Sequence, residues 1–246
     1  MAKKKEKDII ISVDTCPSTV AKVKFKLDDL KLVEPLTDNQ VKFFKSYDQG
    51  DYFCALHGVA GTGKTFIALY KALQEVLTKG NLYHKVILIR SAVQGRDQGF
   101  LPGGEDEKMS LYEIPYMQIA HSLFGRKDAW DILKNQNRVE FMSTSFIRGV
   151  SWYNAIIIVD EMQNMTYSEL QTIITRVGNN SKIIFCGDYR QTDLNKNKND
   201  MSGIKKFLEI ALLMSCHTRI EFGVDDIVRS DLVKEFIIAE LKYEDS

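Results

Sequence analysis

GVAGTGKT, residues 58–65, fits the pattern G-x-x-x-x-G-K-[ST] that surrounds nucleotide phosphates. An apolar run precedes it and an amphipathic helical pattern follows it, so the N–H groups of a helix N-terminus are expected to face the phosphates. We expect Lys64 to bridge the β- and γ-phosphates of ATP and Thr65 to ligate Mg²⁺. The nucleotide contacts predicted along this stretch are Gly58, Ala60, Gly61, Thr62, Gly63, Lys64, Thr65 and Phe66.

The sequence on both sides of this loop predicts a parallel sheet. The strand candidates are residues 52–58, 85–91, 138–144, 154–161, 181–188 and 218–223. Several are continuously apolar, as in strands that helices cover on both faces, and helical patterns lie between them. The predicted fold is therefore α/β: a doubly wound, mostly parallel sheet of the RecA-like P-loop NTPase type.

The first 35 residues differ from the rest and predict an N-terminal extension. The charged run KKKEK indicates a solvated tail, and residues 8–14 and 20–27 predict two short strands. Residues 36–246 are the expected P-loop ATPase domain. It begins with a helix that Thr37 or Asp38 caps.

Composition limits the classes of function. The 246 residues carry 33 basic and 33 acidic side chains, so only a local basic patch would favour nucleic acid. The 4 cysteines are far apart and form no C-x-x-C pair, which argues against a disulfide framework or a zinc site. We expect a cytoplasmic protein without a signal peptide or membrane span.

Two acidic residues follow the apolar run 155–159. Parallel strands bind ligands at their carboxyl ends, so Asp160 and Glu161 are expected beside the phosphate loop. We assign Asp160 to Mg²⁺ and Glu161 to the activation of a hydrolytic water. Gln191 follows the next strand, and its amide can both donate and accept between the γ-phosphate and that water.

With these elements in place, the chain resembles PhoH-like proteins across residues 36–240. The resemblance rests on GVAGTGKT, RSAVQGRDQGFLPGG, FIRGVSWYNAIIIVDEMQNMT, TRVGNNSKIIFCGDYRQTDL and DDIVRSDLV, in that order. The elements DE-x-Q and GD-x-x-Q are shared with the first motor domain of superfamily 1 helicases. The compact length is similar to that of members that phages carry. Two departures are the RSAVQ of residues 90–94 in place of RPA-x-E, and DEMQN in place of DEAQN.

The resemblance implies ATP binding and hydrolysis, coupled to the remodelling of RNA or single-stranded DNA. Gln40 is similar to the glutamine that recognises adenine in helicase-like ATPases. A nucleotide-gated oligomeric scaffold without motor activity stays open as the alternative. A nucleotide kinase ranks below both, because it has no use for Glu161 or Gln191 as assigned.

The sequence contains one motor domain, whereas a superfamily 1 helicase supplies arginines from a second. We therefore expect a homo-oligomeric ring, a hexamer, in which a neighbour contributes the arginine. Arg229 is the first choice for this catalytic role. The other candidates are Arg148 and Arg176 in trans and Arg90 and Arg190 in cis.

The segment 95–130 combines aromatic and basic residues, a composition that binds single strands in some proteins. Its rings are Phe100, Tyr112, Tyr116, Phe124 and Trp130. We expect most of them to form a small core. Arg96 and the loop 99–108 remain the predicted contacts for a nucleic-acid strand.

Overall fold

The computed structural model describes residues 23–91, 105–188 and 203–244. Within them, six strands form one sheet in the order β3-β2-β4-β5-β1-β6, and every pairing is parallel. The strands are β1 (Phe53–Gly58), β2 (Lys85–Arg90), β3 (Val139–Ser143), β4 (Ala155–Asp160), β5 (Lys182–Gly187) and β6 (Thr218–Phe222). All six predicted strands are confirmed, as is the doubly wound α/β fold.

Helices cover both faces of this sheet. They are α1 (Asp38–Asp48), α2 (Lys64–Leu77), α3 (Glu105–Phe124), α4 (Ala129–Asn135), α5 (Tyr167–Ile174), α6 (Ile204–Ala211) and α7 (Asp231–Glu244). Helices α1 to α4 share one apolar core with the sheet, and α5 and α6 share a second core on the opposite face. The central strands β1, β4 and β5 are buried along their whole length, which is why their sequences are mostly apolar.

Helix α1 begins where the sequence predicted. The side chain of Thr37 accepts a hydrogen bond from the backbone N–H of Gln40, so Thr37 is the N-cap. Phe43 and Tyr47 are buried against the sheet and α2. The helix therefore fixes the position of Gln40, whose side chain points toward the phosphate loop.

A strand was predicted for residues 20–27. Residues 23–27, the part of it that the structure describes, do not form a strand. Residues 23–26 are irregular, and Leu27–Asp29 is a 3-10 turn. Phe25 stacks on Phe124 at a centroid distance of 4.2 Å, and its backbone N–H donates to Gln136 Oε1 at 3.1 Å. The segment therefore packs on α3 and α4 instead of pairing with a strand. The strand predicted for residues 8–14 lies outside the described residues.

The aromatic residues of α3 and α4 are core residues as predicted, but they belong to the large core that α1 to α4 share with the sheet and not to a small separate one. Tyr116, Phe124 and Trp130 are buried, and the Tyr116 and Trp130 rings lie 6.1 Å apart. Phe100 and Arg96 lie outside the described residues. In the described ranges, no helix combines the length and the apolar character needed to cross a membrane.

Candidate nucleotide-binding site

The phosphate loop connects β1 to α2 at the carboxyl edge of the sheet. Its first residue, Gly58, has a φ of 115°, and a Cβ there would lie 2.2 Å from the carbonyl oxygen of Phe222. The next N–H, of Val59, donates to that same oxygen at 2.9 Å. The end of β6 thus holds the start of the loop so closely that only glycine fits at position 58.

Lys64 is the first residue of α2, and Gly63 before it has a left-handed φ of 79°. Its Nζ donates to the carbonyl oxygens of Gly58 at 2.9 Å and Val59 at 2.7 Å, and to Thr62 Oγ1 at 3.2 Å. Burial lowers the pKa of Lys64, while nearby carboxylates oppose this effect. The ammonium group therefore lies inside the loop, where it is positioned to meet phosphate oxygens.

Asp160 ends β4 and reaches the start of α2. Thr65 Oγ1 donates to its Oδ1 at 2.7 Å, and Tyr116 Oη donates to its Oδ2 at 2.9 Å. The carboxylate is 5% exposed. A hydroxyl and a carboxylate at this spacing are oxygen ligands of the kind that Mg²⁺ prefers, so Thr65 and Asp160 fit the predicted metal role.

Glu161 follows at once and has a left-handed backbone with a φ of 52°, which is strained for a residue with a side chain. Gln163 Nε2 donates to its carboxylate, and Gln163 Oε1 accepts from the backbone N–H of Asp188 at 3.0 Å. Burial and the adjacent Asp160 raise the pKa of Glu161, and the hydrogen bond from Gln163 partly opposes them. The site therefore holds a carboxylate of increased basicity.

These side chains surround one pocket of about 660 Å³, a size suited to a nucleotide. The predicted residues that line it are Gln40, Ala60, Gly61, Thr62, Gly63, Lys64, Thr65, Phe66, Asp160, Glu161 and Arg229. Arg90 lines it too, as expected for an arginine in cis. Gly58 lines a neighbouring groove of about 780 Å³ between α1 and the end of β6. Gln191 and Arg190 lie outside the described residues.

Gln40 is buried beside the loop, with 3% of its surface exposed. Its Oε1 accepts from the backbone N–H of Leu36 at 2.8 Å, and its Nε2 donates to the carbonyl oxygen of Thr62 at 3.0 Å. The amide therefore braces the phosphate loop. Recognition of adenine, which stays a prediction, would use the second N–H and second lone pair of this amide.

Arg229 was favoured as the arginine that a neighbour supplies, but it lies at the pocket of its own chain. Its Cγ stands 3.0 Å from the position of a Cβ on Gly61, and the N–H of Val228 before it donates to the carbonyl oxygen of Gly61 at 3.1 Å. This backbone contact holds the residue near its own phosphate loop. Neither Arg148 nor Arg176 is among the described residues that line the pocket.

Two residues of the site were missed by sequence reasoning. Gln163 belongs to the DEMQN stretch, and its position two residues after Glu161 is a signal that could have indicated a contact. Tyr116 gave no such signal, because its aromatic ring fits the pattern of a core residue and its chain separation from Asp160 is 44 residues.

The model of the family described as PhoH-like protein matches residues 32–240. The chain belongs to the PhoH-like family. The PhoH-like protein of Bacillus subtilis is 35% identical over 208 residues, which cover 79% of this chain and 62% of that protein. The PhoH-like protein of Mycobacterium leprae is 31% identical over 230 residues, or 93% of this chain and 64% of that protein. This PhoH-like chain thus spans less than two thirds of the length of these relatives.

Among solved structures, the fold is similar to that of the Pif1 helicase from Candida albicans. The match has a TM-score of 0.34 and 13% identity, and it covers 78% of this chain and 40% of the helicase. The sheet order and the phosphate loop between β1 and α2 give this PhoH-like chain the fold of a P-loop NTPase.

Proposed function

We propose that this protein binds ATP with Mg²⁺ and hydrolyses it. One observation carries the proposal: the hydrogen bond of 2.7 Å between Thr65 Oγ1 and Asp160 Oδ1, which joins the phosphate loop to the end of β4. It brings Lys64 and Glu161 to the same pocket. A nucleotide kinase has no need for a water-activating carboxylate there.

Each side chain then has a defined task. Lys64 and the N–H groups at the start of α2 bind the phosphates, and Thr65 and Asp160 hold the metal ion. Mg²⁺, when bound, neutralises charge on the phosphate oxygens. Glu161 accepts the proton of the attacking water, a task that its raised pKa favours. Gln191, outside the described residues, is expected to orient that water.

Two arginines are available to the γ-phosphate from the same chain. Arg90 and Arg229 line the pocket, and an arginine in this role contributes about 10³–10⁵-fold to turnover in P-loop hydrolases. Arg229 is the stronger candidate, because the segment before it is bonded to Gly61. If an arginine of the same chain acts on the γ-phosphate, a neighbouring subunit is not needed to complete the site. The protein can still assemble into an oligomer.

An exposed apolar face of α7 separately supports the assembly of this protein into an oligomer. Leu232, Phe236 and Tyr243 lie along one face of this helix and are 77%, 66% and 85% exposed. The neighbouring residue Ile237 lies on a different side of the helix, and its Cδ1 stands 3.5 Å from a Cβ position on Gly61. Large exposed apolar residues at helical spacing are typical of interaction surfaces. We infer that a second copy covers this face, next to the nucleotide pocket, in the predicted ring.

Coupling to RNA or single-stranded DNA is the proposed use of hydrolysis, and it rests on the resemblance to helicase motor domains. A nucleotide-gated scaffold remains the second candidate, favoured by the exposed face of α7. Turnover that rises with single-stranded RNA or DNA supports the motor. Turnover that neither nucleic acid changes, with assembly that depends on nucleotide, supports the scaffold.

The decisive experiment measures ATP binding and phosphate release for the parent protein and Glu161→Gln, on samples of known mass, with and without RNA and single-stranded DNA. We expect the variant to bind ATP normally and to lose about 10²–10⁴-fold in turnover, the usual contribution of a general base. Glu209→Gln, at an exposed position of α6, is the matched control. Full turnover by Glu161→Gln would contradict the assignment.

A second comparison tests assembly. Phe236→Gln should lower the mass of the protein in solution and keep nucleotide binding. Leu82→Gln, which changes an equally exposed apolar residue in a loop, should leave the mass unchanged. A parent protein that is monomeric and turns over fully would refute the ring.

A further inference from the structure

The two oxygens of Asp160 each receive one hydrogen bond, and the two donors come from different parts of the fold. Thr65, on the phosphate loop side, donates to Oδ1 at 2.7 Å. Tyr116, in the middle of α3, donates to Oδ2 at 2.9 Å. Because one donor holds each oxygen, the plane of the carboxylate is fixed.

Tyr116 is itself held rigidly. Its side chain has no exposed surface, and its ring lies 6.1 Å from the Trp130 ring and 5.7 Å from the Phe141 ring. Packed aromatic rings of this kind leave little freedom to the hydroxyl group at their tip. The hydroxyl group therefore has a fixed position, and its hydrogen bond holds Oδ2 of Asp160 toward it.

We propose that Tyr116 is a positioning residue for Mg²⁺: its hydroxyl orients Asp160 so that Oδ1 stays beside Thr65, where the metal ion of a bound nucleotide would be held. This inference rests on the proposed function, since it concerns the same site. Groups that hydrogen-bond to a metal ligand fix its orientation, and their loss typically lowers metal affinity by about 10–100-fold.

Helix α3 touches the pocket a second time, one turn earlier. Arg90 Cζ lies 5.8 Å from the centroid of the Tyr112 ring, and Arg90 is the register partner of Asp160 in the neighbouring strand. Pro115, between the two tyrosines, lines the pocket. A single face of α3 thus contacts both the carboxylate expected to hold the metal and the arginine beside it.

Tyr116 also packs in the core, so a purely structural role is the competing explanation. The two roles differ in a measurable way. A structural hydroxyl would stabilise the fold and affect nucleotide affinity equally with and without metal. A positioning hydroxyl would affect only the part of the affinity that Mg²⁺ provides.

The test uses Tyr116→Phe, which keeps the ring and removes the hydroxyl. The dissociation constant of ADP is measured by calorimetry with saturating Mg²⁺ and again with EDTA, together with the thermal unfolding midpoint. Tyr47→Phe is the matched control, because Tyr47 lies in the same core, is 3% exposed and donates its hydroxyl hydrogen bond to the Glu75 carboxylate, and neither of these two residues lines the nucleotide pocket.

We expect the Mg²⁺-dependent gain in ADP affinity to fall about 10–100-fold in Tyr116→Phe, with the EDTA value unchanged and Tyr47→Phe like the parent. An unchanged gain, or equal weakening with and without Mg²⁺, would overturn the proposal. So would a Tyr116→Phe protein that does not fold, since the hydroxyl would then serve the structure. A parent protein that binds no ADP at all would instead contradict the proposed function.

Discussion

His57 is a buried histidine next to the phosphate loop, and it predicts a loss of stability in acid. Its side chain has no exposed surface, and its Nε2 accepts a hydrogen bond from Arg219 Nε at 2.6 Å. Burial, then the Arg219 charge, lower its pKa from 6.5 to about 4, with Glu221 opposing and Lys64 adding to the effect. The folded protein therefore keeps this imidazole neutral.

The sign follows from proton uptake. Between its two pKa values the unfolded chain binds a proton at His57 and the folded chain does not, so acid favours unfolding. This contribution is fully present above the unfolded value of 6.5 and is lost progressively as the pH falls toward about 4. Each pH unit in this window is worth about 1.4 kcal/mol, so reaching about pH 5 costs up to about 2 kcal/mol before screening.

The assay is urea unfolding of the parent protein and His57→Gln at about pH 7 and about pH 5, which fall on the two sides of the unfolded pKa. We expect the parent to lose about 1–2 kcal/mol more than the variant over this interval. His84→Gln, at an exposed position, should behave like the parent. Equal losses for the parent and His57→Gln would refute the reasoning, because the buried imidazole would then not be the acid-sensitive group.

Three further substitutions test two contacts at the site and one buried ion pair away from it. Gly58→Ala should abolish nucleotide binding, because its Cβ would lie 2.2 Å from the Phe222 carbonyl oxygen; calorimetry with ADP measures this. Gln163→Leu should keep ADP binding but lower phosphate release by about tenfold or more, because Glu161 loses its hydrogen bond; unchanged release would contradict it. Glu75→Gln should lower the free energy of unfolding by about 3 kcal/mol, because the buried Lys182 ammonium loses the opposite charge of its partner at 3.0 Å; urea unfolding that matches the parent would count against this.

Much of the fold could be predicted because strands that helices cover on both faces of the sheet have mostly apolar sequences. Strands β4 and β5 contain the apolar runs 155–159 and 183–186, and the residues that follow the two strands are acidic. Since parallel strands all end at one edge, the convergence of Lys64, Asp160 and Glu161 needed no knowledge of loop conformations. The short distance between Thr65 and Asp160 is a consequence of this topology.

The N-terminal extension shows where such patterns mislead. Alternation in VKFKL predicts a strand, yet Phe25 is 8% exposed while Val23 and Leu27 are 48% and 36% exposed. Only one of the three apolar residues is covered, and a helix surface covers it. An extended segment on a helix and a strand in a sheet place alternate residues on the same side, so the sequence does not separate them.

Arg229 illustrates a different limit. Its sequence context indicates an important arginine but not which copy of the chain it serves. Its position beside the phosphate loop of the same chain depends on the segment before it, where the N–H of Val228 donates to the carbonyl oxygen of Gly61. A contact between residues this far apart in the chain produces no periodic pattern in the sequence from which it could be predicted.

Gln163 shows how two strand ends are joined. Its Nε2 donates to the Glu161 carboxylate after β4, while its Oε1 accepts from the N–H of Asp188 after β5. A Cβ on Gly187 would stand 2.5 Å from that Oε1, so only glycine at position 187 leaves room for the amide. Because one planar amide makes both contacts, a shift of either strand end must move the other. Gln163 therefore couples Glu161 to the start of the segment that carries Gln191, the two residues expected to act on the same water.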